Sequence, residues 1–173
     1  LKNQVLFFED YSYYIDALIG LYEATYEIDW IEKAVAFTEF CNVEFQQEDY
    51  FYKFSSNQDL LYSDTLVQLE DGVTPSANSI MNFNLFRLSH YLGNKDFSNY
   101  ADKMINNIIA NLENRVTDHM FWLWSSLNYS ESFFELAISG PDAKQKAKEL
   151  SLKYLPNAVI AAYNEPSDLY LLK

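Results

Sequence analysis

Two stretches of this chain repeat one helical pattern, and the repeat limits the folds that the chain can adopt. They read Leu18-x-x-Leu21-x-x-x-Thr25-x-x-x-Asp29-Trp30-x-x-x-Ala34 and Leu85-x-x-Leu88-x-x-x-Leu92-x-x-x-Asp96-Phe97-x-x-x-Ala101, with a constant offset of 67 residues (85 − 18). In each copy a nearly uncharged helix is followed by a short turn and a charged helix. An uncharged helix must be covered on most sides, whereas a charged helix can face water. The repeat therefore predicts two pairs of one inner and one outer helix.

The spacing of apolar residues places further elements along the chain. Apolar positions recur at steps of three and four in the helices, and two short apolar runs near the end are typical of strands. A run rich in Tyr and Phe predicts a β-hairpin excursion near residues 49–62. The predicted helices are Glu9–Tyr26, Asp29–Phe45, Pro75–Leu92, Asp96–Glu113, Thr117–Asn128 and Asp142–Tyr154, and the predicted strands are Phe134–Ser139 and Ala158–Tyr163.

These elements predict a mainly α fold of repeated helical hairpins, arranged as an α/α toroid or a solenoid. The closing strand, helix and strand predict a small C-terminal βαβ unit. We expect the hairpins to occupy residues 1–130 and the βαβ appendage, packed on the same domain, to occupy residues 131–173. A length of 173 residues with only four Gly and four Pro suits a packed domain.

Charge and composition exclude several function classes. The net charge is −13 with only 12 Lys and Arg, which is unsuited to nucleic acid or to an anionic membrane surface. No apolar run approaches the roughly 20 residues that span a bilayer. Cys41 is the single cysteine and only two histidines are present, so the sequence predicts no disulfide, no metal site and no cofactor. We expect an acidic, cytoplasmic protein.

Two motifs in this order resemble the spermatogenesis-associated protein 20 family. The segment Glu9-Asp10-Tyr11-Ser12 is similar to the family pattern E-D-Y-A, with Ser in place of Ala. The segment 71–79, DGVTPSANS, is similar to D-G-A-T-P-S-G-N-S and departs from it at Val73 and Ala77. The departure at Ala77 makes close backbone contact there less expected. The closing residues 150–173 also resemble the end of the family's proteins.

The resemblance implies more than the residues alone do. Members of that family join an N-terminal thioredoxin-like domain to a C-terminal α/α toroid similar to six-hairpin glycosidases and N-acylglucosamine 2-epimerases. The chain then corresponds to a C-terminal fragment and to an incomplete toroid. The thioredoxin-like domain of the parent chain is an implied partner. Because an incomplete ring exposes apolar inner faces, we also expect a homodimer of the fragment.

Acidic and small polar residues at the starts of the inner helices are the candidate site. If the inner helices run parallel, Asp10 and Asp71 share one rim and are the catalytic candidates for acid–base work on a sugar. The ligand-binding candidates are Glu9, Tyr11, Ser76 and Asn78. The alternative is structural: acidic residues stabilise helix N-termini, Thr74 is an N-cap followed by Pro75, and tyrosines at helical spacing belong to a core.

Two functional hypotheses follow. The first is a carbohydrate-metabolism role, in which an epimerase-like or glycosidase-like pocket binds or modifies a small carbohydrate. The second is a non-catalytic interaction scaffold for the thioredoxin-like domain. The residues do not decide whether the protein is an enzyme.

Overall fold

The computed structural model describes residues 5–56, 66–110, 112, 115–130, 132–164 and 169–172. These residues form a mainly α structure, as predicted, while the toroid arrangement stays a prediction. The helices are α1 (Phe8–Thr25), α2 (Asp29–Glu44), α3 (Ala77–Leu92), α4 (Lys95–Ile109), α5 (Met120–Ser130) and α6 (Ala143–Ser151), the strands are β1 (Phe134–Ser139) and β2 (Ala158–Tyr163), and 3₁₀ turns cover Val116–His119 and Tyr170–Leu172. None of the described helices combines the length and the apolar character that a membrane span requires.

The sequence repeat corresponds to two helical hairpins, α1–α2 and α3–α4. The helices α1 and α3 end at Thr25 and Leu92, two positions that the repeat pairs. Each inner helix packs against its outer partner, and the two inner helices also pack against each other. The paired residues Ala34 and Ala101 of the two outer helices are both fully buried.

Polar side chains connect the inner helices where they meet. Arg87 of α3 is 7% exposed and forms ion pairs with Asp16 and Glu23 of α1. Asn84 accepts a hydrogen bond from Arg87 at 2.9 Å and donates one to the carbonyl of Ser12 at 2.8 Å. The terminal nitrogens of Arg87 and the Asn84 amide thus have partners, whereas Arg87 Nε is buried with none among the described residues. The one charged side chain in the middle of α3 is therefore paired across the helix interface.

The predicted start of α3 is wrong. Thr74 is not the N-cap and Pro75 is not helical, because α3 begins at Ala77 and its N-cap is Ser76, whose Oγ accepts the Ser79 N–H at 3.2 Å. Asp71 explains the shift, since its carboxylate accepts the Ser76 N–H at 2.8 Å while Ser76 has an extended backbone. The predicted end is confirmed, because Gly93 adopts a left-handed conformation with φ 61° after Leu92.

The other predicted helices differ from the structure only near their ends. Asp29 is the first residue of α2 and not its N-cap, which is Ile28. The helix α4 begins at Lys95, after an Asn94 N-cap that accepts two backbone N–H bonds, and ends at Ile109. A 3₁₀ turn precedes α5 where the sequence predicts continuous helix, and α6 is shorter than predicted at both ends.

The βαβ unit has the strand boundaries that the sequence predicts. Strands β1 and β2 pair in parallel, from Phe134 opposite Ala158 to Ser139 opposite Tyr163. Polar contacts that attach the unit to the helices include His90 Nδ1, 2.7 Å from Glu135 Oε1, and Lys144 Nζ, 2.7 Å from Glu27 Oε1.

The excursion after α2 is described only up to residue 56, and residues 57–62 of the predicted hairpin lie outside the described residues. The described part forms two isolated antiparallel bridges, Gln46 with Tyr52 and Phe7 with Ser55. The Tyr52 ring stacks on Phe8 at 4.6 Å. This segment therefore packs over the start of α1.

Candidate functional site

A cavity of about 820 Å³ opens beside the N-terminal ends of α1 and α3. Its wall combines the first turn of α1, the loop that leads into α3, the end of α4 and the 3₁₀ turn before α5. Apolar wall residues include Phe51, Leu69 and Pro75, and the polar side chains are those of Glu9, Gln68, Glu70, Asp71, Thr74, Ser76, Asn107, Arg115 and His119. Small-molecule sites typically occupy roughly 300–1,000 Å³, so the cavity has the size of a ligand site.

Asp71 connects the starts of two helices. Its Oδ1 accepts hydrogen bonds from the Ser76 N–H at 2.8 Å and from the Ser79 hydroxyl at 3.2 Å. Its Oδ2 accepts the Phe121 N–H at 2.7 Å, and its own N–H donates to the Asp118 carbonyl at 2.6 Å. Both carboxylate oxygens are thus engaged by protein donors, although Asp71 lies on the cavity wall.

Ser76 lies on the wall as well, but its groups serve α3. Its N–H binds Asp71, its hydroxyl caps the Ser79 N–H, and its carbonyl accepts both the Ser79 hydroxyl and the Ile80 N–H. Ser76 is 6% exposed. The structure therefore gives Ser76 a capping role.

Asn78 is buried beneath the loop and does not line the cavity. Its Oδ1 accepts the Tyr52 N–H at 2.8 Å, and its Nδ2 donates to the carbonyls of Tyr52 and Gln68, each at 3.0 Å. The side-chain amide pairs with the backbone N–H and carbonyl of Tyr52, as a neighbouring β-strand would, and Asn78 is 1% exposed.

Of the three candidate residues at the start of α1, one lines the cavity and two do not. Glu9 is exposed and lines the cavity, whereas Asp10 is exposed and is not part of the cavity wall. Tyr11 packs on the rings of Phe40 and Phe45 at 5.1 and 5.7 Å, and burial raises the pKa of its hydroxyl. Only Glu9 of these three candidates can contact a ligand in the cavity.

A charged cluster closes one side of the cavity. Arg115 Nη1 lies 2.6 Å from Glu70 Oε1, and Nη2 lies 3.2 Å from Asp118 Oδ2. The hydrogen bond and the charge of Glu70 raise the pKa of the Arg115 guanidinium. Its positive charge is therefore matched by two carboxylates before any ligand arrives.

His119 is the most distinctive group on the wall. It is 8% exposed, and its Nδ1 lies 3.0 Å from the carbonyl of Arg115. Since a carbonyl can only accept, Nδ1 carries the proton, and Nε2 of the neutral ring is an acceptor. Nε2 forms no hydrogen bond with the described residues, and it is not among the fully buried side-chain atoms that lack a partner. An unpaired acceptor on a cavity wall is suited to bind a hydroxyl or to take up a proton.

The structure thus brings Glu9, Asp71 and Ser76 to one cavity and leaves Asp10, Tyr11 and Asn78 away from it. Sequence reasoning missed His119 and Arg115 as site residues. The position of His119 near a predicted helix start was visible, but no spacing in the sequence connects it to Asp71. Among the described residues, no three His, Cys, Asp or Glu side chains are grouped so as to hold a metal ion.

The sequence of this chain is similar to segments of longer animal proteins. No protein-family model matches the chain. It is 30% identical to spermatogenesis-associated protein 20 of Rattus norvegicus over 93% of this chain and 21% of that protein, and 35% identical to the same protein of Mus musculus over 53% of this chain and 12% of that protein. An uncharacterized protein of Caenorhabditis elegans is 31% identical over 56% of this chain. The chain spans about a fifth or less of the length of these curated relatives. The predicted resemblance is confirmed: proteins named spermatogenesis-associated protein 20 are homologous to this chain, at 30–35% identity over 53–93% of it.

Proposed function

We propose that the cavity beside α1 and α3 binds a small carbohydrate, and that His119 Nε2 accepts a hydrogen bond from one of its hydroxyls. The observation that carries this proposal is His119 on the cavity wall, with one nitrogen fixed by the Arg115 carbonyl and the other without a hydrogen bond to any described residue. Such an arrangement sets the tautomer and the ring orientation in advance, which reduces the cost of binding.

The wall has the mixture of groups that a sugar requires. Carboxylate oxygens and the imidazole accept hydrogen bonds from hydroxyls, and Arg115 can donate to ring or hydroxyl oxygens. Phe51 and Pro75 supply apolar surface for the C–H faces of a ring. Nine of the seventeen described wall residues have polar side chains, so the cavity suits a ligand rich in hydrogen-bonding groups.

Any chemistry on the bound sugar would begin at His119. A neutral imidazole can act as a general base when its free nitrogen reaches the substrate proton. The predicted pair of Asp10 and Asp71 gains no support as acid and base, because Asp10 is outside the cavity wall and both oxygens of Asp71 already accept protein hydrogen bonds. An epimerase-like role for His119 fits the wall better than a glycosidase-like carboxylate pair.

A test uses the 173-residue chain with glucose, galactose and mannose, monitored by saturation-transfer NMR and by the melting temperature. The informative variant is His119→Asn, because the asparagine amide can still donate to the Arg115 carbonyl while the Nε2 position is lost. The matched control is His90→Asn, on the far end of α3. We expect binding of at least one hexose, lost in His119→Asn and retained in His90→Asn. Absence of any binding, or equal binding by both variants, would overturn the proposal.

A second candidate, the interaction scaffold, is favoured by a separate surface. Met120, Trp124 and Leu127 lie on one face of α5 at helical spacing and are 58%, 43% and 57% exposed. Exposed apolar stripes mark interaction sites. The occupant we propose is the thioredoxin-like domain that the resemblance implies, with a homodimer as the competing outcome. Light scattering of the chain alone tests the homodimer, which a monomer would exclude. A binding assay with the purified thioredoxin-like domain of a longer relative tests the scaffold, which an absence of binding would exclude.

A further inference from the structure

We propose that Glu9 makes the cavity selective for a polyhydroxylated amine, such as an amino sugar, over the neutral and anionic sugars of the same shape. This inference rests on the proposed function, because it assigns the charge of the ligand that the same cavity would bind. The argument depends on which of the charged groups on the wall are already compensated by the protein.

Most wall charges are engaged within the protein. Asp71 accepts three hydrogen bonds from protein donors, as described above. Arg115 is matched by Glu70 at 2.6 Å and by Asp118 at 3.2 Å. An anionic ligand would have to compete with two carboxylates for this single guanidinium, and it would place its charge near Glu70 and Asp71. The wall is therefore unfavourable for sugar phosphates and sugar acids.

Glu9 differs from these groups. Its carboxylate lies in the first turn of α1, lines the cavity and forms no hydrogen bond or ion pair with the described residues. Its charge does interact favourably with the N-terminus of α1, as any acidic residue there would. That interaction does not require a cavity-lining position, and Asp10 can supply it from outside the cavity wall.

The second, independent observation concerns His119, a residue that is 8% exposed and whose Nε2 has no hydrogen-bond partner within the described part of the chain. This nitrogen accepts hydrogen bonds and offers no proton in the neutral ring. A carboxylate or phosphate presents only acceptors to it, whereas hydroxyl and ammonium groups present donors. Both Glu9 and His119 thus select ligands rich in donors, and an ammonium group adds the charge that Glu9 complements.

The test compares three sugars that differ only at carbon 6: 6-amino-6-deoxyglucose, glucose and glucuronate. At about pH 7 a primary alkyl amine is cationic and a carboxylic acid is anionic. Affinities are measured by titration calorimetry or NMR at low salt. We expect the amine to bind about three- to fivefold more tightly than glucose, in the range of exposed charge pairs, and glucuronate to bind most weakly. Added salt should reduce the difference, because screening acts on charges.

Two variants locate the effect. Glu9→Gln removes one charge from the wall, while Asp10→Asn removes one charge from the next residue outside the wall, so the net charge of the protein changes equally. We expect Glu9→Gln to lose the preference for the amine over glucose, with any change in glucose affinity shared by the amine, and Asp10→Asn to keep the preference. Equal binding of all three sugars, or loss of the preference in both variants, would overturn the role of Glu9 while leaving sugar binding intact. Absence of binding by all three would instead overturn the proposed function itself.

Discussion

We expect replacement of Asn78 to lower the free energy of unfolding substantially. In Asn78→Ala the N–H and the carbonyl of Tyr52 both lose their partner, and Tyr52 is fully buried. Each buried group left unpaired costs about 1–3 kcal/mol. The Gln68 carbonyl also loses a bond, but Gln68 is exposed and water can replace the amide. We therefore expect the free energy of unfolding to fall by about 2–5 kcal/mol.

A second variant separates lost hydrogen bonds from lost volume. Asn78→Asp keeps the size of the side chain and the acceptor for the Tyr52 N–H. It replaces the amide that donates to two carbonyls with an oxygen that repels them. If the hydrogen bonds matter, Asn78→Asp should be at least as unstable as Asn78→Ala at neutral pH, although it leaves no cavity.

Urea unfolding followed by circular dichroism measures these differences, because the unfolding free energy varies linearly with denaturant. The control is Asn106→Ala on the exposed face of α4, where a change within about 0.5 kcal/mol is expected. A loss below about 1 kcal/mol in Asn78→Ala, or a stable Asn78→Asp, would refute the assignment of these hydrogen bonds.

Three further predictions concern backbone, thiol and phenol groups. Gly93→Ala should lower stability by about 1–2 kcal/mol, since φ is +61° and an added Cβ would lie 2.6 Å from the Tyr170 ring, whereas Gly20→Ala in α1 meets no atom within 4 Å and should be neutral or stabilising in urea unfolding. Burial raises the pKa of the Cys41 thiol to about 12, so a thiol reagent at about pH 8 should react only after unfolding; rapid reaction of the native protein would contradict this. Burial also raises the pKa of Tyr52, Tyr91 and Tyr129, so their neutral forms stabilise the fold fully below about pH 10, and the urea midpoint should fall as pH rises above that value; an unchanged midpoint at about pH 11 would be contrary evidence.

The fold was accessible from the sequence where local pattern and tertiary packing agree. The repeat predicts both hairpins because a nearly uncharged helix such as α3 must be buried on most sides. The strands Phe134–Ser139 and Ala158–Tyr163 have the predicted bounds at both ends. The predicted start of α3 is wrong because local pattern and tertiary contacts disagree there. Thr74-Pro75 is a good local start, but Asp71 binds the Ser76 N–H and moves the cap two residues along the chain.

The candidate site was predictable only in part. The sequence predicts that the loop before α3 lies at a rim because it opens an inner helix, and in the structure Asp71 and Ser76 of this loop line the cavity. Asn78 could not be separated from them, because its partner Tyr52 is 26 residues away and belongs to an irregular segment. A pattern within nine residues cannot show which of its polar groups meet the protein and which meet solvent.

The polar segment 71–79 also forms hydrogen bonds with residues beyond α3, at the 3₁₀ turn and the start of α5. The Asp71 N–H donates to the carbonyl of Asp118 at 2.6 Å, and its Oδ2 accepts the N–H of Phe121 at 2.7 Å. These two contacts lie on either side of His119 in the chain. The segment therefore holds the 3₁₀ turn and the start of α5 in place, and with them the imidazole on the cavity wall. In the sequence Asp71 resembles a ligand-binding residue. In the structure it instead fixes the position of His119, the residue that we propose binds the ligand.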